Sequence, residues 1–75
     1  MSNSTKYQKQ LETLSTNIRQ VRERKGMTKR ELAERCGMEE SNYWRFENPN
    51  DKLNPTLKIL VQICEVLEVD LKELL

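Results

Sequence analysis

The sequence predicts a single small all-α domain, and three observations support this expectation. The chain of 75 residues contains only two glycines and two prolines, which is few for a protein rich in β-turns. Hydrophobic residues make up 36% and charged residues 33%, a balance typical of a chain that folds. Apolar residues also recur at spacings of three and four, which places them along one face of a helix.

The first predicted helix begins near Tyr7 and ends before Gly26. Its apolar stripe consists of Tyr7, Leu11, Leu14, Ile18 and Val21. The stripe fits one long helix or two helices separated near residues 15–17, where three consecutive cap-forming residues favour a break. We therefore expect residues 1–14 to form an N-terminal extension, helical or frayed, and residues 15–75 to form the domain.

Two short helices joined by a tight turn are predicted next. Thr28 and Glu31 have the spacing of a capping box, which starts a helix from about Lys29 to Cys36. Gly37 ends this helix because glycine readily adopts the left-handed backbone of a helix-to-helix turn. A third helix follows from about Glu40 to Glu47. Two short helices with such a turn make a helix-turn-helix arrangement, and the expected core residues of the first are Leu32, Ala33 and Cys36.

The C-terminal third predicts a fourth helix and a short fifth one. Residues 48–51, "NPND", break the chain, and Pro55 with Thr56 opens the fourth helix. Asp70 to Glu73 resembles another capped helix start. The apolar face expected in the core of the fourth helix contains Leu57, Leu60, Val61, Cys64 and Leu67. The fifth helix is expected to place Leu71, Leu74 and Leu75 against the domain.

Several classes of function are disfavoured by what the sequence lacks. It contains no histidine and no phosphate-binding glycine-rich loop, and Cys36 and Cys64 stand singly among apolar neighbours. We therefore expect no enzyme, no catalytic residue, no metal and no cofactor, and we interpret both cysteines as reduced core residues. No apolar run approaches the roughly 20 residues that span a bilayer. We therefore expect no membrane association, and we expect the protein to lie in the cytoplasm.

Charge is distributed unevenly along the chain. Residues 1–27 contain six basic and two acidic residues. Residues 28–48 contain four basic and five acidic residues, and residues 49–75 contain three basic and five acidic residues. The basic N-terminal part is the only electrostatic feature that favours a polyanion, and the net charge of +1 is small for a nucleic-acid binder.

The ordered series of motifs resembles a known family. The segments "IRQVRERKGMTKRELAERCGMEESNYWRFEN" and "NPTLKILVQICEVLEVDLKELL" resemble the Cro/repressor type of helix-turn-helix, the XRE family, over about residues 16–75. The resemblance implies a compact five-helix lambda-repressor-like domain whose recognition helix, about residues 40–47, enters the major groove. It also implies a DNA-binding transcriptional regulator, prokaryotic or phage-type, associated with the nucleoid.

The candidate base-reading residues lie on one side of the predicted recognition helix. Helical geometry separates them from Tyr43, Phe46 and Glu47, and they are Glu40, Ser41, Trp44 and Arg45. Arg45 is the best candidate because a guanidinium can bond guanine O6 and N7 together, although it could simply be a solvated surface residue.

Other candidate residues follow from the resemblance. Lys29 occupies the family position of a phosphate-binding Gln, Asn48 matches a position near the DNA backbone or caps the turn, and Arg19 is a third phosphate candidate. Arg22 and Glu47 match a pair that the family buries as a structural salt bridge.

Three further positions depart from the family pattern. Glu39 replaces the usual Ser or Thr at the start of the recognition helix, Trp44 replaces a small or polar residue, and Glu68 stands where Gly is preferred. Glu39 and Glu40 suit the positive end of a helix macrodipole, and on DNA a carboxylate can accept a hydrogen bond from cytosine N4.

Two partners are compatible with the sequence. The first is double-stranded DNA with a palindromic operator, bound by a homodimer whose candidate surfaces are the C-terminal leucines and the stripe of Tyr7, Leu11 and Leu14. The alternative is a partner protein, because the near-neutral charge, Glu39, Glu40 and an exposed Tyr43–Trp44 neighbourhood also suit a protein-interaction module.

Overall fold

The fold consists of helices joined by short turns. In a computed structural model that describes the backbone of residues 2–48 and 55–75, the α-helices are α1 (Ser2–Arg24), α2 (Lys29–Arg35), α3 (Glu40–Glu47) and α4 (Leu57–Leu67). Leu71–Glu73 form a 3-10 turn in the position of the predicted fifth helix. The all-α prediction is confirmed, whereas the turn predicted at residues 49–51 lies outside the described residues. Within those two ranges, no helix is both long and apolar enough to cross a lipid bilayer.

Helix α1 is continuous, so the predicted break near residues 15–17 is wrong. Leu14 and Ile18 flank this segment and are both buried, which holds the helix against the core. The side chain of Asn17 is used in a tertiary contact: its Nδ2 donates a hydrogen bond to the carbonyl oxygen of Leu74 at 3.0 Å. Tertiary contacts thus override the local preference of these residues for a helix end.

The turn between α2 and α3 forms as its residues predict. Thr28 Oγ1 accepts a hydrogen bond from the amide of Glu31 at 3.0 Å, and the Glu31 carboxylate accepts one from the amide of Thr28 at 3.1 Å. The hydrogen bond from the Thr28 amide to the Glu31 carboxylate lowers the pKa of that carboxyl. Gly37 follows α2 with a φ of 71°, in the left-handed region that glycine tolerates. The turn brings α3 directly against α2.

The core lies between α1 and the other helices. Residues with no exposed surface at its centre include Ile18, Leu32, Tyr43, Ile63 and Leu74. The expected core residues of the second helix, Leu32, Ala33 and Cys36, are all buried.

The predicted core face of α4 is wrong at its N-terminal half. Leu57 is 66% exposed and Val61 is 42% exposed, whereas Ile63, which the prediction omitted, is fully buried. Lys58, Gln62 and Glu65 form a polar stripe on α4. Leu57 and Val61 lie at the edge of the apolar arc beside this stripe, whereas Ile63 lies within the arc, so i, i+3, i+4 spacing alone did not separate edge positions from core positions. The contacts of α4 with α2 and with the 3-10 turn select the face that contains Ile63.

The C-terminal segment closes the core with a single leucine. Leu74 is fully buried, but Leu75 is 57% exposed, so the expectation that Leu75 packs against the domain is wrong. Glu68 ends α4 with a φ of 59° and a ψ of 48°, adopting the left-handed conformation for which the family uses glycine. A non-glycine residue in this region is strained by about 1 kcal/mol.

Candidate nucleic-acid interface

Helix α3 is fixed to α1 by a buried ion pair. Arg22 Nε donates to Glu47 Oε2 at 2.6 Å and Arg22 Nη2 donates to Glu47 Oε1 at 3.1 Å. Arg22 Nη1 also donates to the carbonyl oxygen of Met27 at 2.6 Å, and the Tyr43 hydroxyl donates to Glu47 Oε2. Two parallel hydrogen bonds hold the guanidinium and the carboxylate in one relative orientation. The pair therefore sets the rotation of α3 and the direction in which its opposite face points.

The electrostatics of this cluster agree with its geometry. The hydrogen bond to Glu47 raises the pKa of Arg22 above its ordinary value despite the opposing effect of burial. Burial, followed by the hydrogen bond to Glu47, raises the pKa of Tyr43 far above its usual range. Tyr43 therefore keeps its proton and remains a hydrogen-bond donor to the carboxylate. Among the described side chains, no buried polar atom lacks a hydrogen-bond partner.

The first turn of α3 carries the two carboxylates. Glu39 is the N-cap residue, with a φ of −70° and a ψ of 146°, but its side chain accepts no capping hydrogen bond. Its carbonyl oxygen accepts from the amide of Tyr43 at 3.0 Å, which closes the first helical turn. Glu39 and Glu40 are both exposed, so they remain accessible to a ligand, and their charges suit the positive end of the α3 macrodipole.

The outward face of α3 collects the four candidate base-reading residues. Tyr43, Phe46 and Glu47 are buried, whereas the opposite side chains are exposed. An open depression of about 520 Å³ runs along this exposed face, and its lining residues are Glu40, Ser41, Trp44, Arg45 and Asn48. The surface thus offers a carboxylate, a hydroxyl, an indole and a guanidinium side by side.

A second depression of about 210 Å³ brings the three phosphate candidates together. It is lined by Arg19, Lys29, Trp44, Glu47 and Asn48, and it shares Trp44 and Asn48 with the first depression. The sequence did not predict that Lys29 and Trp44 touch, yet the Lys29 Nζ lies 3.8 Å from the centroid of the Trp44 ring. No spacing signal could have found this contact, because the turn between α2 and α3 creates it.

The described side chains form no candidate metal-binding cluster. No cluster of three or more His, Cys, Asp or Glu occurs within residues 8–48 and 55–75. Cys36 and Cys64 are buried free thiols, and burial raises the pKa of both.

Comparison with known proteins identifies the family. The family model for the helix-turn-helix domain matches residues 13–75. The chain belongs to the helix-turn-helix family. Its fold is similar to that of the restriction-modification controller protein C.AhdI from Aeromonas hydrophila, with a TM-score of 0.79 and 23% sequence identity over 87% of this chain and 96% of that one. No curated protein matches the sequence significantly.

Family membership confirms the resemblance to the XRE type. The helix-turn-helix domain makes this chain a DNA-binding transcriptional regulator. In this arrangement α2 is the supporting helix and α3 occupies the position of the recognition helix.

Proposed function

We propose that this helix-turn-helix protein regulates transcription by inserting α3, residues 40–47, into the major groove of a specific duplex. The observation that carries the proposal is the exposed face of Glu40, Ser41, Trp44 and Arg45 on a helix whose rotation is fixed by the buried Arg22–Glu47 pair. A rigid helix that presents several different hydrogen-bonding groups suits the recognition of base edges.

Each side chain on this face has a role that fits its chemistry. Arg45 reads guanine through O6 and N7, and Glu40 accepts a hydrogen bond from cytosine N4. Ser41 contacts either kind of base edge, and Trp44 packs against a sugar or a thymine methyl group. Lys29, Arg19 and Asn48 contact phosphates and set the position of α3 along the duplex.

We propose further that the protein binds a two-fold symmetric operator as a homodimer. A single module of this size buries limited DNA surface, so two copies on adjacent half-sites would supply the affinity that one lacks. The candidate dimer surfaces are reduced to Leu75, which is 57% exposed, and Leu11, which is half-buried, because Leu14 and Leu74 are buried in the core of the domain. In this proposal residues 15–75 form the DNA-binding domain, residues 1–14 extend its first helix, and the protein acts at the nucleoid in the cytoplasm.

Selection of bound duplexes from a random library tests the proposal. We expect a two-fold symmetric consensus, and Arg45→Ala should relax the preference at one position of each half-site by about 1–3 kcal/mol. Lys29→Ala should instead weaken all sequences alike and reduce the slope of log affinity against log salt by about 0.9. A wild-type protein that enriches no duplex, even at low salt, would refute the proposal.

A second candidate function has one observation in its favour. Trp44 is 53% exposed next to the carboxylates of the α3 N-terminus, a combination that also suits docking to a partner protein. The predicted exposure of Tyr43 is wrong, however, because this side chain is fully buried and unable to contribute to such a surface. Salt dependence separates the two functions, since affinity for DNA falls steeply with salt and an aromatic protein interface responds weakly.

A further inference from the structure

Lys29 and Trp44 form a contact that joins the phosphate candidates to the base-reading face. The ammonium of Lys29 lies 3.8 Å from the centroid of the indole ring, well within the roughly 6 Å at which a cation is attracted to an aromatic face. Lys29 is the first residue of α2, and Trp44 lies in the middle of α3. The contact therefore spans the helix-turn-helix and involves the single tryptophan of the chain.

Lysine needs such a contact more than the glutamine that the family uses at this position. A lysine side chain carries a compact charge on a flexible four-carbon stem, so its N–H donors have no fixed direction. The planar face of Trp44 restricts the ammonium to one region of the surface. It leaves the remaining N–H groups available to an acceptor, because a cation over a ring is attracted by the quadrupole without using a directional hydrogen bond.

The surroundings of the ammonium suit an anion of the size of a phosphate group. Arg19 and Asn48 line the same depression, which adds a second cation and an amide. The carboxylate of Glu47 also borders it, but both of its oxygens accept hydrogen bonds from Arg22. The negative charge of Glu47 is thus compensated from the interior of the domain, and it does not need Lys29 as a partner.

We propose that Trp44 is a positioning residue that holds the Lys29 ammonium where it meets a DNA phosphate, rather than a residue that reads bases. This inference rests on the proposed DNA-binding function, and it replaces the direct DNA contact given to Trp44 in that proposal with an indirect role. It assigns a purpose to the tryptophan that replaces a small or polar residue of the family. The aromatic ring and the lysine then act as one unit, and each is expected to depend on the other.

The first experiment requires no DNA. Protons above an aromatic face resonate upfield, so the ε-methylene protons of Lys29 should be shifted upfield in the NMR spectrum of the wild-type protein. The shift should disappear in Trp44→Leu and persist in Trp44→Phe, which retains an aromatic face. Arg30→Met, which removes a neighbouring cation of α2 whose guanidinium lies 3.9 Å from Glu34, should leave the shift unchanged. Lys29 protons at ordinary positions in the wild type would overturn the proposal.

The second experiment is a double-mutant cycle on a selected duplex. Trp44→Leu should weaken binding about two- to fivefold in the wild-type background, the range of an exposed cation–π contact. The same change should have no effect in a Lys29→Met background, where no ammonium remains to be positioned. Trp44→Leu should also lower the slope of log affinity against log salt concentration by up to about 0.9, toward the slope of Lys29→Met. It should leave the sequence preference unchanged.

The outcomes separate this proposal from the function on which it rests. If the two substitutions weaken binding independently, or if Trp44→Leu relaxes the sequence preference at an unchanged salt slope, the indole contacts DNA directly and the positioning role is refuted. A wild-type protein that binds no duplex would instead refute the proposed function and the phosphate role of Lys29 with it.

Discussion

Replacing Arg22 by methionine should sharply destabilise the domain. The substitution leaves the Glu47 carboxylate buried, with a side-chain exposure of 3% and a hydrogen bond from the Tyr43 hydroxyl but without its bidentate cation. Removing one partner of a buried ion pair costs about 3–5 kcal/mol, because the remaining charge has lost both water and its counter-charge. A domain of this length has a free energy of unfolding of about 4–11 kcal/mol, so Arg22→Met should lose a large share of it.

Thermal and urea unfolding followed by circular dichroism measure this effect. A loss of 3 kcal/mol corresponds to a fall in Tm of about 12–24 °C for a domain of this size. Arg24→Met, an exposed cation in the last turn of α1, is the matched control and should change stability by less than about 0.5 kcal/mol. An Arg22→Met variant that unfolds within a few degrees of the wild type would show that the pair does not hold α3.

Further substitutions and changes of condition test other parts of the structure. Glu68→Gly should raise the free energy of unfolding by up to about 1 kcal/mol by relieving the left-handed strain, and a lower Tm would contradict this. Ile63→Ala should lower the free energy of unfolding by about 2–5 kcal/mol, because Ile63 is buried, whereas Leu57→Ala should lower it by less than about 0.5 kcal/mol. Urea titrations measure both values, and the reverse order would support the orientation of α4 expected from the sequence. Because burial raises their pKa, Cys36 and Cys64 should react with a thiol reagent more slowly in the folded than in the urea-unfolded protein at about pH 8.5, and equal rates would contradict their burial. Since the folded state then keeps these protons to higher pH than the unfolded state, the free energy of unfolding should also fall as the pH rises above about 8.5 in pH-dependent urea titrations.

Structural features that depend only on neighbouring residues were predictable from the sequence. Thr28 and Glu31 form the capping box that their spacing indicates, and Gly37 adopts the left-handed conformation that the turn requires. Each of these interactions involves neighbouring residues, so no knowledge of the tertiary structure is needed. The two errors in the helices have the opposite origin. In α1, the Asn17 side chain donates to the carbonyl oxygen of Leu74, 57 residues away, instead of ending the helix. In α4, Leu57 and Val61 lie at the edge of the apolar arc, and whether an edge position is covered depends on the neighbouring helices.

The candidate interface was predictable as a face but not as a set of contacts. Helical periodicity separates Trp44 and Arg45 from the buried Tyr43 and Glu47, and this separation is present in the structure. The contact between Lys29 and Trp44 could not be predicted, since it depends on the angle between α2 and α3 and on the rotamers of two long side chains. Helical periodicity gives the direction of a side chain, whereas its partner across a turn is a property of the folded domain.

The charges around α3 indicate how such a surface would discriminate between sequences. Lys29 and Arg19 face one depression, Arg45 faces the other, and Glu39 and Glu40 are exposed at the helix start. A carboxylate near a duplex repels phosphates at every site, so it lowers the affinity for all sequences that offer it no donor. Where cytosine N4 lies opposite, the same carboxylate gains a hydrogen bond and the repulsion is offset. A helix with acids at its start therefore favours selectivity through weak non-specific binding, and this is consistent with a net charge of only +1.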